Sequence, residues 1–151
     1  MRLSRSGGAA LLVIGALAAA CSDRPFLRRD PPVTTGGVTV ALVGQRCRRR
    51  VRHDQNGILD LVLALRVTNA GPAPVSIVPA RLALVVRGDA TEPDDHDAPF
   101  ALGPGLSSPV RVHYRAWSNA RCDEPMSVAL DAALSEPTLR PLTFTPEASD
   151  T

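Results

Sequence analysis

Five arginines fall within seven residues, in the run Arg46-Cys47-Arg48-Arg49-Arg50-Val51-Arg52. A guanidinium is a planar fork that holds phosphate or carboxylate through two parallel hydrogen bonds. Arg46, Arg48, Arg49, Arg50 and Arg52 therefore carry the clearest binding chemistry in the chain, and an anionic glycolipid, an acidic polysaccharide or the acidic face of a partner protein would each suit them. The competing reading is a solvated loop or edge that resists aggregation, neutralised by the acidic run Glu92-Pro93-Asp94-Asp95-His96-Asp97. Within that run Asp94, Asp95, His96 and Asp97 form a weak metal candidate. They lack the ligand-x-ligand-x-ligand-Gly order of a calcium loop, so an acidic loop tip is expected, with no cofactor.

Catalytic patterns are sparse. Gly105-Leu106-Ser107-Ser108 has no Gly at the spacing of a nucleophile elbow and no strand leading into it. His53, His96 and His113 lie far apart with no shared motif. A hydrolase would need the fold to gather one of them with acids.

The elements that must position these groups follow from composition and periodicity. All 17 basic residues are Arg, against 15 acids, and the chain of 151 residues has room for one domain with short appendages. Only five residues are Phe, Trp or Tyr, which disfavours a stacking platform for sugars or single-stranded nucleic acid.

Residues 1–20 open with Arg2 and Arg5, continue through an apolar stretch from Gly7 to Leu17 and end in Ala18-Ala19-Ala20 before Cys21. This is the pattern of a secretory signal peptide, too short to span a bilayer comfortably. Small residues followed directly by Cys21 resemble the lipobox of bacterial lipoproteins. The resemblance implies that the Cys21 thiol is acylated and becomes the mature N-terminus, and Ser22 after it implies the outer membrane. Cleavage by an ordinary signal peptidase at the Ala-x-Ala exit is the alternative. With Cys21 lipidated, Cys47 and Cys122 remain, and in an exported domain they are expected to form one disulfide. Cleavage before Cys21 removes two arginines and no acid, taking the formal charge of +2 to zero. Any electrostatic role then belongs to local clusters. Nucleic acid is not expected as a partner after export.

Residues 21–36 contain three prolines and no periodicity and read as a lipidated Cys with a flexible tether. From residue 37 alternation dominates. Leu59, Leu61, Leu63, Leu65 and Val67 recur at every second position with Asp60, Arg66 and Thr68 opposite, which predicts a strand with one buried face. Leu82, Leu84 and Val86, then Val110, Val112 and Tyr114, then Val128 and Leu130 repeat the pattern, and shorter candidates lie at 38–43, 75–78 and 139–145. Seven runs separated by turn residues predict an all-β chain, an antiparallel β-sandwich over 37–147 with a tail at 148–151. Helix competes only at 126–134, where Leu130 to Leu134 could make a short turn.

The dipeptide Asn56-Gly57 suggests a tight hairpin. Pairing Gln55 with Ile58 would set Arg52, Arg50 and Arg48 opposite Leu61, Leu63 and Leu65 on the buried face, at prohibitive cost. Residues 46–55 are therefore expected as an exposed loop pinned by Cys47.

The stretch from Leu61 to Gly71, with Pro74-Val75 and Leu102-Gly103-Pro104-Gly105, resembles bacterial immunoglobulin-like domains, in which a strand ends in an Asn-x-Gly turn. The resemblance spans about residues 38–115 and implies architecture alone. Trp117 precedes Cys122 by only five residues, unlike the core Trp of antibody-type domains. The expected protein is a lipid-anchored cell-envelope module that binds or supports without catalysis. A secreted, unanchored polyanion-binding domain using Arg46–Arg52 is the alternative, and a hydrolase the third class.

Overall fold

The computed structural model describes residues 31–51, 57–117, 119–134 and 140–146. Within them the chain is all-β, with β1 (Val33–Thr35), β2 (Val38–Val51), β3 (Gly57–Asn69), β4 (Val75–Ile77), β5 (Leu84–Val86), β6 (Asp89–Thr91), β7 (Asp95–His96), β8 (Phe100–Leu102), β9 (Ser107–Trp117), β10 (Met126–Val128) and β11 (Leu142–Phe144). Each of the seven alternating runs overlaps a strand, the 128–130 run only at Val128, where β10 ends. The four additions, β1, β6, β7 and β8, are too short for alternation to reveal. β1 lies inside the segment read as tether and pairs with β2 from Val33↔Val40 to Thr35↔Val38, so the ordered sheet starts earlier than residue 37. The turn expected after Leu130 is the helix α1 (Asp131–Leu134).

A five-stranded sheet in the order β1-β2-β3-β9-β7 and a four-stranded sheet in the order β11-β10-β5-β6 contribute to one buried cluster, and β4-β8 adds a small third sheet. Every pairing is antiparallel. The inner face of β3 is Leu59, Leu61, Leu63 and Leu65, all with no exposed surface, against Val110, Val112 and Tyr114 of β9. Each such side chain contributes roughly 1.5–3 kcal/mol through burial. Leu84, Val86, Met126, Val128, Leu142 and Phe144 face them from the second sheet.

β2 departs from the expected loop. It pairs with β3 along its whole length, ending at Val51↔Gly57, and the connection 52–56, with Arg52 and His53, lies outside the described residues. Two features avoid the clash that a two-residue turn would cause. The longer connection places Arg50 opposite Ile58 and Arg48 opposite Asp60 rather than opposite leucines of the core. A bulge at Val43, where the ladder steps from Leu42↔Leu65 to Gly44↔Ala64, inserts one unpaired residue. One extra residue reverses side-chain parity beyond it. Val38, Val40 and Leu42 are buried before the bulge and Cys47 after it, while Arg46, Arg48 and Arg50 turn to the outer face. Arg49 shares the parity of Cys47 but is exposed near the strand end. The five arginines are thus not one loop patch: three line one face of a strand.

Three connections hold the layers together. Cys47 of β2 is bonded to Cys122 in the segment before β10, with Cα atoms 5.8 Å apart and a sequence separation of 75. The Tyr114 hydroxyl donates to the Leu82 carbonyl at 2.7 Å, and burial pushes the phenol pKa up. Asn69, the buried polar residue among those described, ends β3. Its Nδ2 donates to the carbonyls of Ala73 (2.8 Å) and Leu102 (3.0 Å), and its Oδ1 accepts from the Gly71 amide (3.0 Å). Gly37, at φ 81°, crosses this turn so closely that a Cβ there would stand 2.9 Å from Gly71 Cα. Glycine is required on both counts.

Candidate functional site

On the outer face of the five-stranded sheet, the registers of β2, β3, β9 and β7 stack side chains in rows. Arg46 stands beside Val62, then His113, then Asp95; Arg48 stands beside Asp60, then Arg115. Along β2 the arginines recur every second residue, about 6.8 Å apart. A groove of about 470 Å³ runs over this face, within the range of small-ligand sites. Arg46, Arg48 and Arg50 form one wall, Asp60, Val62 and His113 the floor, and Asp95, His96, Asp97 and Arg111 the other wall.

The acidic run reaches this groove because it is a short edge strand rather than a free loop tip. β7 pairs with the middle of β9 through Asp95↔His113 and His96↔Val112. The Asp94 amide donates to the His113 carbonyl at 3.0 Å and the Asp97 amide to the Arg111 carbonyl at 3.2 Å. The Asp97 carboxylate accepts from the Arg111 amide at 2.7 Å, and His96 Nδ1 lies 2.9 Å from the Asp97 carbonyl oxygen. Among the described residues no three His, Cys, Asp or Glu side chains are grouped to hold a metal ion. Asp94, Asp95, His96 and Asp97 are adjacent in the chain but do not converge as a ligand set.

His113 is placed between two carboxylates. Its Nε2 is 2.6 Å from Asp60 Oδ1 and its Nδ1 is 3.5 Å from Asp94 Oδ1. The fold thus gathers His96 and His113 with acids, the clustering a hydrolase would need. Both nitrogens of His113 face carboxylates, and among the described residues the lining holds no Ser, Thr or Cys, so a hydrolytic step there would fall to a carboxylate or an activated water. The arginine wall differs again. Among the described residues the ion pairs are Arg87–Glu124, His113–Asp60, His113–Asp94 and Arg121–Asp123, and none involves Arg46, Arg48, Arg50 or Arg111. The Nε of Arg48 is buried without a hydrogen-bond partner. Unneutralised guanidiniums side by side favour a bound anion.

Sequence reasoning singled out the arginines but not Asp60, Val62, Arg111 or His113 as their neighbours. Alternation marked Asp60 and His113 as outward-facing, yet which strands adjoin is a non-local matter, since β3 and β9 are about forty residues apart in the chain. Cys21 and the 1–20 segment lie outside the described residues, and among the described residues no helix is long and apolar enough to cross a membrane. The chain matches no family model, no curated protein and no solved structure.

Proposed function

We propose that this protein is a non-enzymatic binding module of the bacterial cell envelope, exported, carried on a lipid at Cys21 and with an immunoglobulin-like sandwich whose outer groove receives an anionic group. The observation that carries the binding role is the alignment of Arg46, Arg48 and Arg50 on one face of β2 with no carboxylate within 4.0 Å among the described residues. Export draws support from the signal-like segment before Cys21 and from the Cys47–Cys122 disulfide, which suits an oxidising compartment. Ser22 supports an outer-membrane address, and the tether before β1 would keep the groove clear of the anchoring bilayer. The binding partner is then an anionic glycolipid, an acidic polysaccharide or an acidic envelope protein. A hydrolase is the third reading, and among the described lining residues its nucleophile would be a carboxylate or an activated water rather than a hydroxyl or thiol.

The second reading, a secreted and unanchored polyanion-binding domain, shares the groove and differs only at Cys21. Intact mass of the exported protein separates the two: acyl groups added to residues 21–151 support the anchor, and an unmodified N-terminus in the soluble fraction rejects it. The groove is tested by replacing Arg46, Arg48 and Arg50 with Ser and measuring adhesion to anionic glycolipid and acidic polysaccharide at low salt. Adhesion is expected to fall sharply, whereas Arg49→Ser, on the other parity, leaves it nearly intact. Unchanged adhesion in the triple variant would remove the groove from the account.

A further inference from the structure

Arg48 stands directly opposite Asp60 in the β2–β3 ladder. Side chains so placed on one face of an antiparallel pair are near neighbours, and an Arg and an Asp there would ordinarily neutralise each other. They form no ion pair. The Asp60 carboxylate is drawn toward the other flank of β3, where His113 Nε2 holds it at 2.6 Å, and Asp94 faces the opposite side of the same ring. Arg48 is left half-buried with its Nε unsatisfied, flanked along β2 by Arg46 and Arg50. A buried donor without a partner gains from any acceptor that reaches it. Among the described residues the groove lining contains no Phe, Tyr or Trp on which a sugar ring could stack, so guanidinium forks dominate what these residues can recognise, and they match the oxygens of a phosphate.

We infer that His113 is a positioning residue: by engaging Asp60 it keeps Arg48 unneutralised, so that Arg46, Arg48 and Arg50 together seat a phosphate group, free or on a lipid head. The inference rests on the reading of the groove as a binding surface and adds its ligand chemistry and the group that preserves it.

The test is calorimetric titration of the full-length chain with inorganic pyrophosphate and, in a parallel arm, with soluble dihexanoyl phosphatidic acid at low salt. His113→Ala releases Asp60 toward Arg48 and is expected to weaken binding about tenfold, the scale of one lost charge-assisted hydrogen bond. Removing the competing carboxylate as well, in His113→Ala with Asp60→Asn, is expected to restore affinity to within about twofold of wild type. A merely structural histidine would not be rescued in this way. Asp60→Asn alone, which leaves His113 in place, is expected to bind at least as tightly as wild type, and weaker binding there would overturn the inference. So would wild-type affinity in His113→Ala while Arg46, Arg48 and Arg50→Ser binds neither probe, an outcome that leaves the groove reading standing. Unaltered binding in the triple arginine variant would instead defeat the groove reading itself. Binding of pyrophosphate supports free phosphate as the source, binding of the lipid alone supports a head group, and retention of polygalacturonate with neither phosphate probe bound rejects the phosphate assignment.

Discussion

Two sets of arginines in this molecule have opposite surroundings, and the Cys47–Cys122 bond joins them. Around Cys47, Arg46, Arg48 and Arg50 have no carboxylate partner among the described residues. Around Cys122, Arg121 grips Asp123 with Nε and Nη2 at 3.0 and 2.9 Å, and Arg87 grips Glu124 through Nε at 2.7 Å and Nη2 at 2.5 Å. Arg87 has φ 52° in the two-residue turn between β5 and β6, a conformation unfavourable for a side chain with Cβ. Its bidentate hold on Glu124 fixes that turn to the loop before β10, and the pairing lowers the pKa of Glu124 while raising that of Arg87. The difference teaches that arginine count alone does not indicate a site. Where acids are in reach the guanidinium is an internal fastener, and where the ladder leaves it unpaired it faces outward with its charge unneutralised, the feature on which the proposed binding role rests.

The comparison is broken most severely by cutting the link between the two sets. Replacing Cys47 and Cys122 with Ala opens a loop of 75 residues, expected to lower stability by about 4 kcal/mol and the melting temperature by roughly 15 °C. Thermal unfolding checks it, and a change of only a degree or two would show that the sheets hold each other without the bond.

A smaller loss tests whether the scaffold beneath both sets is rigid. Asn69→Ala removes two donated and one accepted hydrogen bond from a side chain with no exposed surface. The expected loss is about 2–4 kcal/mol, read from urea unfolding at unchanged m-value.

The pH dependence sharpens the contrast further. Because Glu124 is held below the ordinary carboxyl range, its contribution is present at neutral pH and is lost as pH falls through the acid range. Glu124→Gln should flatten the acid limb of a stability profile by a small amount. Tyr114 acts in the other direction: burial raises its pKa, so above about pH 10 the unfolded chain releases a proton that the fold retains, and stability declines as pH rises. Tyr114→Phe should remove this alkaline decline while sacrificing the bond to Leu82. Arg46, Arg48 and Arg50, substituted together, should leave both limbs unchanged.

How much of this was legible in the chain follows from which signals are local. The alternation of Leu59 to Val67 predicted β3 because every second residue meets the core, and the pairing of Cys47 with Cys122 followed from cysteine count together with the expectation of export. β2 was not legible beyond Val43, since the bulge reverses parity and a run of arginines then reads as loop. β7 escaped because Asp95 and His96 have little intrinsic preference for a strand and are placed by the edge of β9. The site was legible as arginines and as acids, each alone. That Asp60 and His113 lie between them is a property of strand order, which no periodicity encodes.

The most direct test sets the two arginine sets side by side in one measurement. Melting temperature and pyrophosphate affinity are determined at low salt for wild type, for Arg46, Arg48 and Arg50→Ser, and for Arg87→Ser. A crossed result is expected: the triple variant melts within about 2 °C of wild type but loses its salt-sensitive binding, while Arg87→Ser melts lower and binds as wild type does. A triple variant that unfolds, or one that binds pyrophosphate as tightly as wild type, would contradict it.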